Sequence, residues 1–153
     1  MIISMVKQEG VLRPLEVDRP MFDQYRMKVS DGEVVQVKFM KYLPPARARA
    51  RKYFHLMRDA YAAVNGYTKE YAKDELCIGW GISVTLEDAR ENPPDWSGHL
   101  VKLWDREYVR KSVMEYTRED MSALIEGTIL ACIEADVDIH LLVDDYRMEA
   151  RRD

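Results

Sequence analysis

"PPARARARKYFHLMRDAYAAVNG", Pro44 to Gly66, is the stretch on which the fold of this chain turns. Proline has no N–H to contribute to a ladder, and the first turn of a helix needs none, so Pro44-Pro45 closes what precedes it and lets a helix begin at once. From Ala46 to Asn65 the apolar residues recur with helical period. At about 100° per residue, Ala46, Ala50, Tyr53, Met57, Ala60, Tyr61 and Val64 share one side. Gly66, directly after Asn65, is placed to stop the helix in the left-handed conformation. The opposite side carries Arg47, Arg51, His55 and Arg58 as a stripe, with Phe54 at its margin, while Arg49 falls beside the apolar side.

This positive stretch belongs to an acidic chain. The formal charge over 153 residues is −4, yet Lys38, Lys41, Arg47, Arg49, Arg51, Lys52 and Arg58 follow one another with no acid between Val34 and Arg58. Without those seven charges the remainder stands at −11. Such a balance excludes a generic polycation that coats nucleic acid, and it suits a local footprint for an anionic partner. A solvated helix face, balanced by acids folded nearby, is the plainer alternative.

Working outward, residues 1–43 read as a β-rich part. "EGVLRPLEV" carries turn signals at Gly10 and Pro14, and "DRPMFDQYRMKV" fits a short helix after Pro20. "SDGEVVQVKFMKY" gives the clearest strand signal, a Ser30-Asp31-Gly32 turn followed by β-branched and aromatic residues among polar ones. Beyond Gly66, "GYTKEYAKDEL" predicts a helix capped by Thr68 with Glu70 in its first turn. Residues 78–112, punctuated by Gly79, Gly81, Pro93, Pro94 and Gly98, predict an irregular excursion with short strands, partly packed through Trp80, Trp96 and Trp104. Thr117 and Asp120 have the spacing of a capping box, and Met121, Leu124, Ile125, Thr128, Ile129 and Cys132 follow the rhythm of a core-facing helix. A last helix is expected from Leu141 to Arg152. These elements make one domain, 1–153, of α+β class: a small antiparallel sheet packed with several helices, helix exceeding strand.

The chemistry is read mainly from what is missing. There is no P-loop, GxGxxG, GxSxG or HExxH, and His55, His99 and His140 lack ligand spacing. Asp144 and Asp145 near His140 diverge by about 100° on a helix, so one ion would rarely be gripped by both. Neither a metal nor a cofactor is therefore expected, nor an enzyme. Cys77 and Cys132, far apart in apolar surroundings, read as buried free thiols suited to a reducing cytoplasm. No window approaches the roughly 20 apolar residues of a membrane span, and the opening MIISMVKQEG is too short and too soon charged for a secretory signal. The positive stripe is what remains. Guanidinium groups pair with phosphate oxygens and stack on bases, and single-stranded nucleic acid is held by a basic groove with aromatic platforms. The expected DNA-binding residues are Lys38, Lys41, Arg47, Arg51, Lys52, Phe54 and Arg58, with Tyr42 placed to face the same side.

The order of elements resembles the phage recombination proteins of the NinB type, also called Orf. Those proteins place an Arg-Lys-aromatic-aromatic core at the start of a central helix, after a basic strand. Arg51, Lys52, Tyr53 and Phe54 match that core, "NGYTKEYAKDEL" resembles the turn and second helix, and "KSVMEYTREDMSALIEGTILACIEADVDI" resembles the final block. The likeness covers roughly Val34 to Ile139. The chain departs from the pattern at Arg49-Ala50, where the family has Gln-Asn, and at Pro45-Ala46, where it has Arg-Ser. The resemblance implies a non-catalytic accessory protein of DNA recombination, homodimeric and in the cytoplasm of an infected bacterium. It also implies partners: single-stranded DNA and the host's single-strand-binding protein. A second expectation is a protein-interaction module, an inhibitor or adaptor of a host complex acting through the acidic remainder. A metal-dependent nuclease ranks last, for want of a ligand set.

Overall fold

The computed structural model describes residues 3–39 and 45–152. The chain divides into two compact units, Met1–Leu43 and Pro44–Asp153.

The first unit is a hairpin followed by a helix. Strands β1 (Met5–Gln8) and β2 (Val11–Pro14) pair antiparallel from Met5↔Pro14 to Gln8↔Val11. Glu9 and Gly10 join them with φ of 50° and 81°, the doubly left-handed turn whose twist matches that of a hairpin. The Asp18 carboxylate accepts from the Ser4 N–H at 2.7 Å, and helix α1 (Arg19–Lys28) starts with Pro20 in its first turn. Of the strand expected in "SDGEVVQVKFMKY", the described part is not formed: after a turn, residues 33–39 are irregular, with Val34 91% and Phe39 75% exposed, and residues 40–42 lie outside the described residues. β-Branched residues favour extended backbone, but a strand needs a ladder partner, and β1 and β2 pair only with each other among the described residues.

The second unit is built around the helix read from Pro44 to Gly66. Helix α2 (Pro45–Asn65) ends at Gly66 with φ 67°, and the Tyr67 N–H closes on the Ala62 carbonyl at 2.9 Å, the bond of a left-handed cap. Helix α3 (Lys69–Trp80) starts at Thr68, whose hydroxyl accepts from the Tyr71 N–H. Residues 78–112 are far more regular than expected. They hold β3 (Ser83–Thr85), α4 (Leu86–Glu91), β4 (Gly98–Leu103) and β5 (Arg106–Lys111), an antiparallel sheet in the order β3-β5-β4. The β4–β5 turn was hidden because Trp104 and Asp105 take positive φ, 51° and 61°, without the Asn-Gly type signal that marks such turns.

Helix α5 (Arg118–Glu134) begins with the Thr117–Asp120 capping box, both hydrogen bonds present, and α6 (His140–Arg152) closes the chain. Met121, Leu124, Ile125, Thr128, Ile129 and Cys132 are all buried, as their rhythm requires. Helices α3, α5 and α6 all pack on α2, and β5 and β4 meet α3. Cys77 and Cys132 are free and buried, and burial pushes both thiols up to about 11. The α+β class with helix exceeding strand stands, as two small antiparallel sheets among six helices in the described residues. None of those helices is long and apolar enough to cross a membrane.

Candidate functional site

Helix α2 does not present its arginines as a free stripe. Arg47 donates from Nη2 to the carbonyls of Met114 (3.4 Å) and Tyr116, so it caps the 3-10 turn before α5. Arg49 pairs with Glu149 of α6 at 3.6 Å. Those two line a cleft of about 70 Å³ with Tyr53, Arg118, Tyr146 and Glu149. Burial first, then the hydrogen bond to Glu149, raises the Tyr53 hydroxyl above its usual range.

Phe54 has no part in a binding surface: it is fully buried in the core with Met57, Leu76 and Leu124. The helical wheel had placed it at the margin of the polar side. Because three helices surround α2, the buried arc is wider than the stripe of a surface helix and rotates to include Phe54, leaving Val64 outside at 58% exposure. A ring with no exposed face cannot stack on a base.

The lower part of the stripe enters a second assembly. Arg51 donates from Nε to His55 Nε2 at 3.2 Å and from Nη1 to the Met114 sulfur. Arg58, with only 14% of its side chain exposed, holds Asp59 through Nε at 2.9 Å and Nη2 at 2.7 Å. Lys69 shares that carboxylate at 3.5 Å. Burial works to raise the Asp59 carboxyl, and Arg58 and Lys69 outweigh it, holding the group below its usual range. Across from α2, Arg110 of β5 is 92% enclosed and donates to Asp74 of α3 at 2.7 Å, tying the sheet to the helix. Next to Asp74 stands Lys73, half-buried, with no carboxylate of its own among the described residues.

The electrostatics of this cluster follow from its composition. Burial, then Arg110, with Arg51 and Arg58 adding, holds the Lys73 ammonium below its ordinary value. Burial, then Arg58, Lys73 and Arg51, brings His55 down to about 4, so its imidazole is neutral at pH 7. Since His55 Nε2 accepts from Arg51, the ring hydrogen sits on Nδ1, a buried donor with no acceptor. Of the four cations Arg51, Arg58, Lys73 and Arg110, only Arg58 (with Asp59) and Arg110 (with Asp74) have a carboxylate partner among the described residues.

Of the other expected site residues, Lys52 is exposed on α2, Lys38 lies in the irregular part of the first unit, and Lys41 and Tyr42 fall outside the described residues. Lys73 and Arg110 were missed. In sequence, Lys73 reads as one charge of a solvated helix, and Arg110 belonged to a segment not recognised as a strand. β5 buries Arg110 between the half-buried Val109 and Lys111, without the alternation of buried and exposed residues that marks a strand in sequence. Also missed are the exposed aromatics Tyr67, Tyr71 and Trp104; the first two rings meet edge-on at 4.7 Å. No family model, curated protein or solved structure matches the chain.

Proposed function

We propose that the chain binds single-stranded DNA through phosphate contacts and performs no chemistry on it, as an accessory protein of phage DNA recombination. The observation that carries the reading is that α3 packs on both α2 and β5, and that of the cations Arg51, Arg58, Lys73 and Arg110 on these elements only Arg58 and Arg110 have a carboxylate partner among the described residues. Cations held together at such a cost of repulsion favour an anion, and phosphate is the anion that guanidinium and ammonium groups recognise best. Exposed Lys52 extends the positive character along α2. Tyr67, Tyr71 and Trp104 provide aromatic surface for bases, the role that buried Phe54 cannot fill. Homodimerisation and contact with the host's single-strand-binding protein belong to the same reading through the resemblance, as does action in the cytoplasm of an infected cell.

Fluorescence anisotropy with a labelled single-stranded oligonucleotide tests it. Three or four phosphate contacts give a slope of log K against log salt of about −2 to −3. Lys52→Glu and Lys73→Met variants, shown by circular dichroism to be folded, should each bind more weakly. No binding at low salt, or equal binding by both variants, rejects the proposal.

A further inference from the structure

The α2–α3–β5 cluster has the form of a seat for one anion, not of a groove that tracks a strand. A groove presents exposed cations in a row; here Arg58 and Arg110 have 14% and 8% of their side chains exposed, and Lys73, next in sequence to the Asp74 that holds Arg110, is half-buried on α3, which packs on both α2 and β5. The geometry is also fixed. Arg58 is clamped to Asp59, Arg110 to Asp74, and Arg51 to His55 four residues on. Lys73 is the one member of the four with neither an ion pair nor a hydrogen-bond partner among the described residues.

The charge balance selects the kind of anion. Four cations against Asp59 and Asp74 leave two positive charges uncompensated, and Lys69, which shares Asp59, adds to that excess at the rim. An internal phosphodiester brings one negative charge and has two of its oxygens tied to sugars. A phosphomonoester carries close to two charges near pH 7 and offers three free acceptor oxygens. Resting on the reading of single-stranded DNA as ligand, we infer that this cluster receives the terminal phosphate of a DNA strand, with Lys73 as its principal ligand and Arg51 and Arg58 beside it. The protein would then recognise strand ends in preference to strand interiors.

The same full-length protein is titrated by anisotropy with one oligonucleotide in three forms: 5′-phosphate, 3′-phosphate and hydroxyl at both ends. One phosphorylated form should bind about tenfold more tightly than the hydroxyl form, the worth of one charge-assisted hydrogen bond. Lys73→Met should erase that preference by weakening the phosphorylated form about tenfold more than it weakens the hydroxyl form, and Lys52→Glu should weaken all forms alike. Inorganic phosphate should compete with the phosphorylated form and raise the melting temperature more than chloride at equal ionic strength. Equal affinity for the three forms overturns the inference even if the DNA reading survives. Melting-point stabilisation by inorganic phosphate without any oligonucleotide binding overturns it too, by showing a seat for free phosphate. Absence of binding by every form, with no effect of phosphate, removes both readings together.

Discussion

Protonation of His55 should set how the second unit loses stability toward acid. In the unfolded chain its imidazole titrates near 6.5, and in the folded protein burial and then Arg58, Lys73 and Arg51 hold it at about 4, with Asp59 the carboxylate opposing them. The folded-state value is depressed, so the unfolded chain takes up the proton first. The contribution to stability is complete above pH 6.5 and is lost as pH falls toward about 4. A gap of that size corresponds to about 3 kcal/mol in full, and solvent screening of a half-buried ring brings it to about 1–2 kcal/mol. His55→Gln removes the titration while keeping a polar group of similar length. Urea unfolding followed by tryptophan fluorescence suits the measurement, because Trp80, Trp96 and Trp104 all lie in the second unit. Between pH 7.5 and pH 4.5 the natural protein should lose about 1–2 kcal/mol more than His55→Gln, with unchanged slopes against urea. Acid-labile pairs such as Arg58–Asp59 are common to both proteins and cancel in the comparison. Equal losses in the two proteins would refute the cationic surroundings assigned to His55.

Phe54→Ala should destabilise the second unit by about 3–5 kcal/mol, because the ring is fully enclosed, and any loss of DNA binding should track the unfolded fraction seen by circular dichroism. Arg47→Ala should cost about 1–3 kcal/mol in urea unfolding, since it strips a charged donor from the Met114 and Tyr116 carbonyls; Arg47→Lys should restore only part of it, lacking the planar fork. Gly127→Ala should destabilise by about 1–3 kcal/mol, because a Cβ there would stand 2.5 Å from three atoms of Trp80. The displaced indole should report itself as a red shift in fluorescence.

Local signals were legible wherever the answer depended on neighbours in sequence. Pro44-Pro45, Gly66, Thr68 and the Thr117–Asp120 pair mark helix ends because caps are made within three or four residues. The rhythm from Met121 to Cys132 marks a buried face because one helix side meets the core. "SDGEVVQVKFMKY" misled because β-propensity asks for a partner that the sequence does not show, and residues 78–112 hid a sheet because a Trp104-Asp105 turn carries no glycine.

The candidate site divides along the same line. The sequence by itself determined that α2 would form, that Arg51 and Arg58 would stand on another side from Tyr53 and Met57, and that positive charge would concentrate there in an acidic chain. Which arginines share a site was decided only by packing. A helical wheel treats its surroundings as one apolar side and one wet side, whereas α2 is met by α3, α5 and α6 together. That enclosure buried Phe54, turned Arg47 to a backbone cap and set Lys73, remote in sequence, where the charges of Arg110, Arg51 and Arg58 all act on its ammonium. Charges separated along the chain act on one another only through space, so their gathering is a property of the tertiary fold.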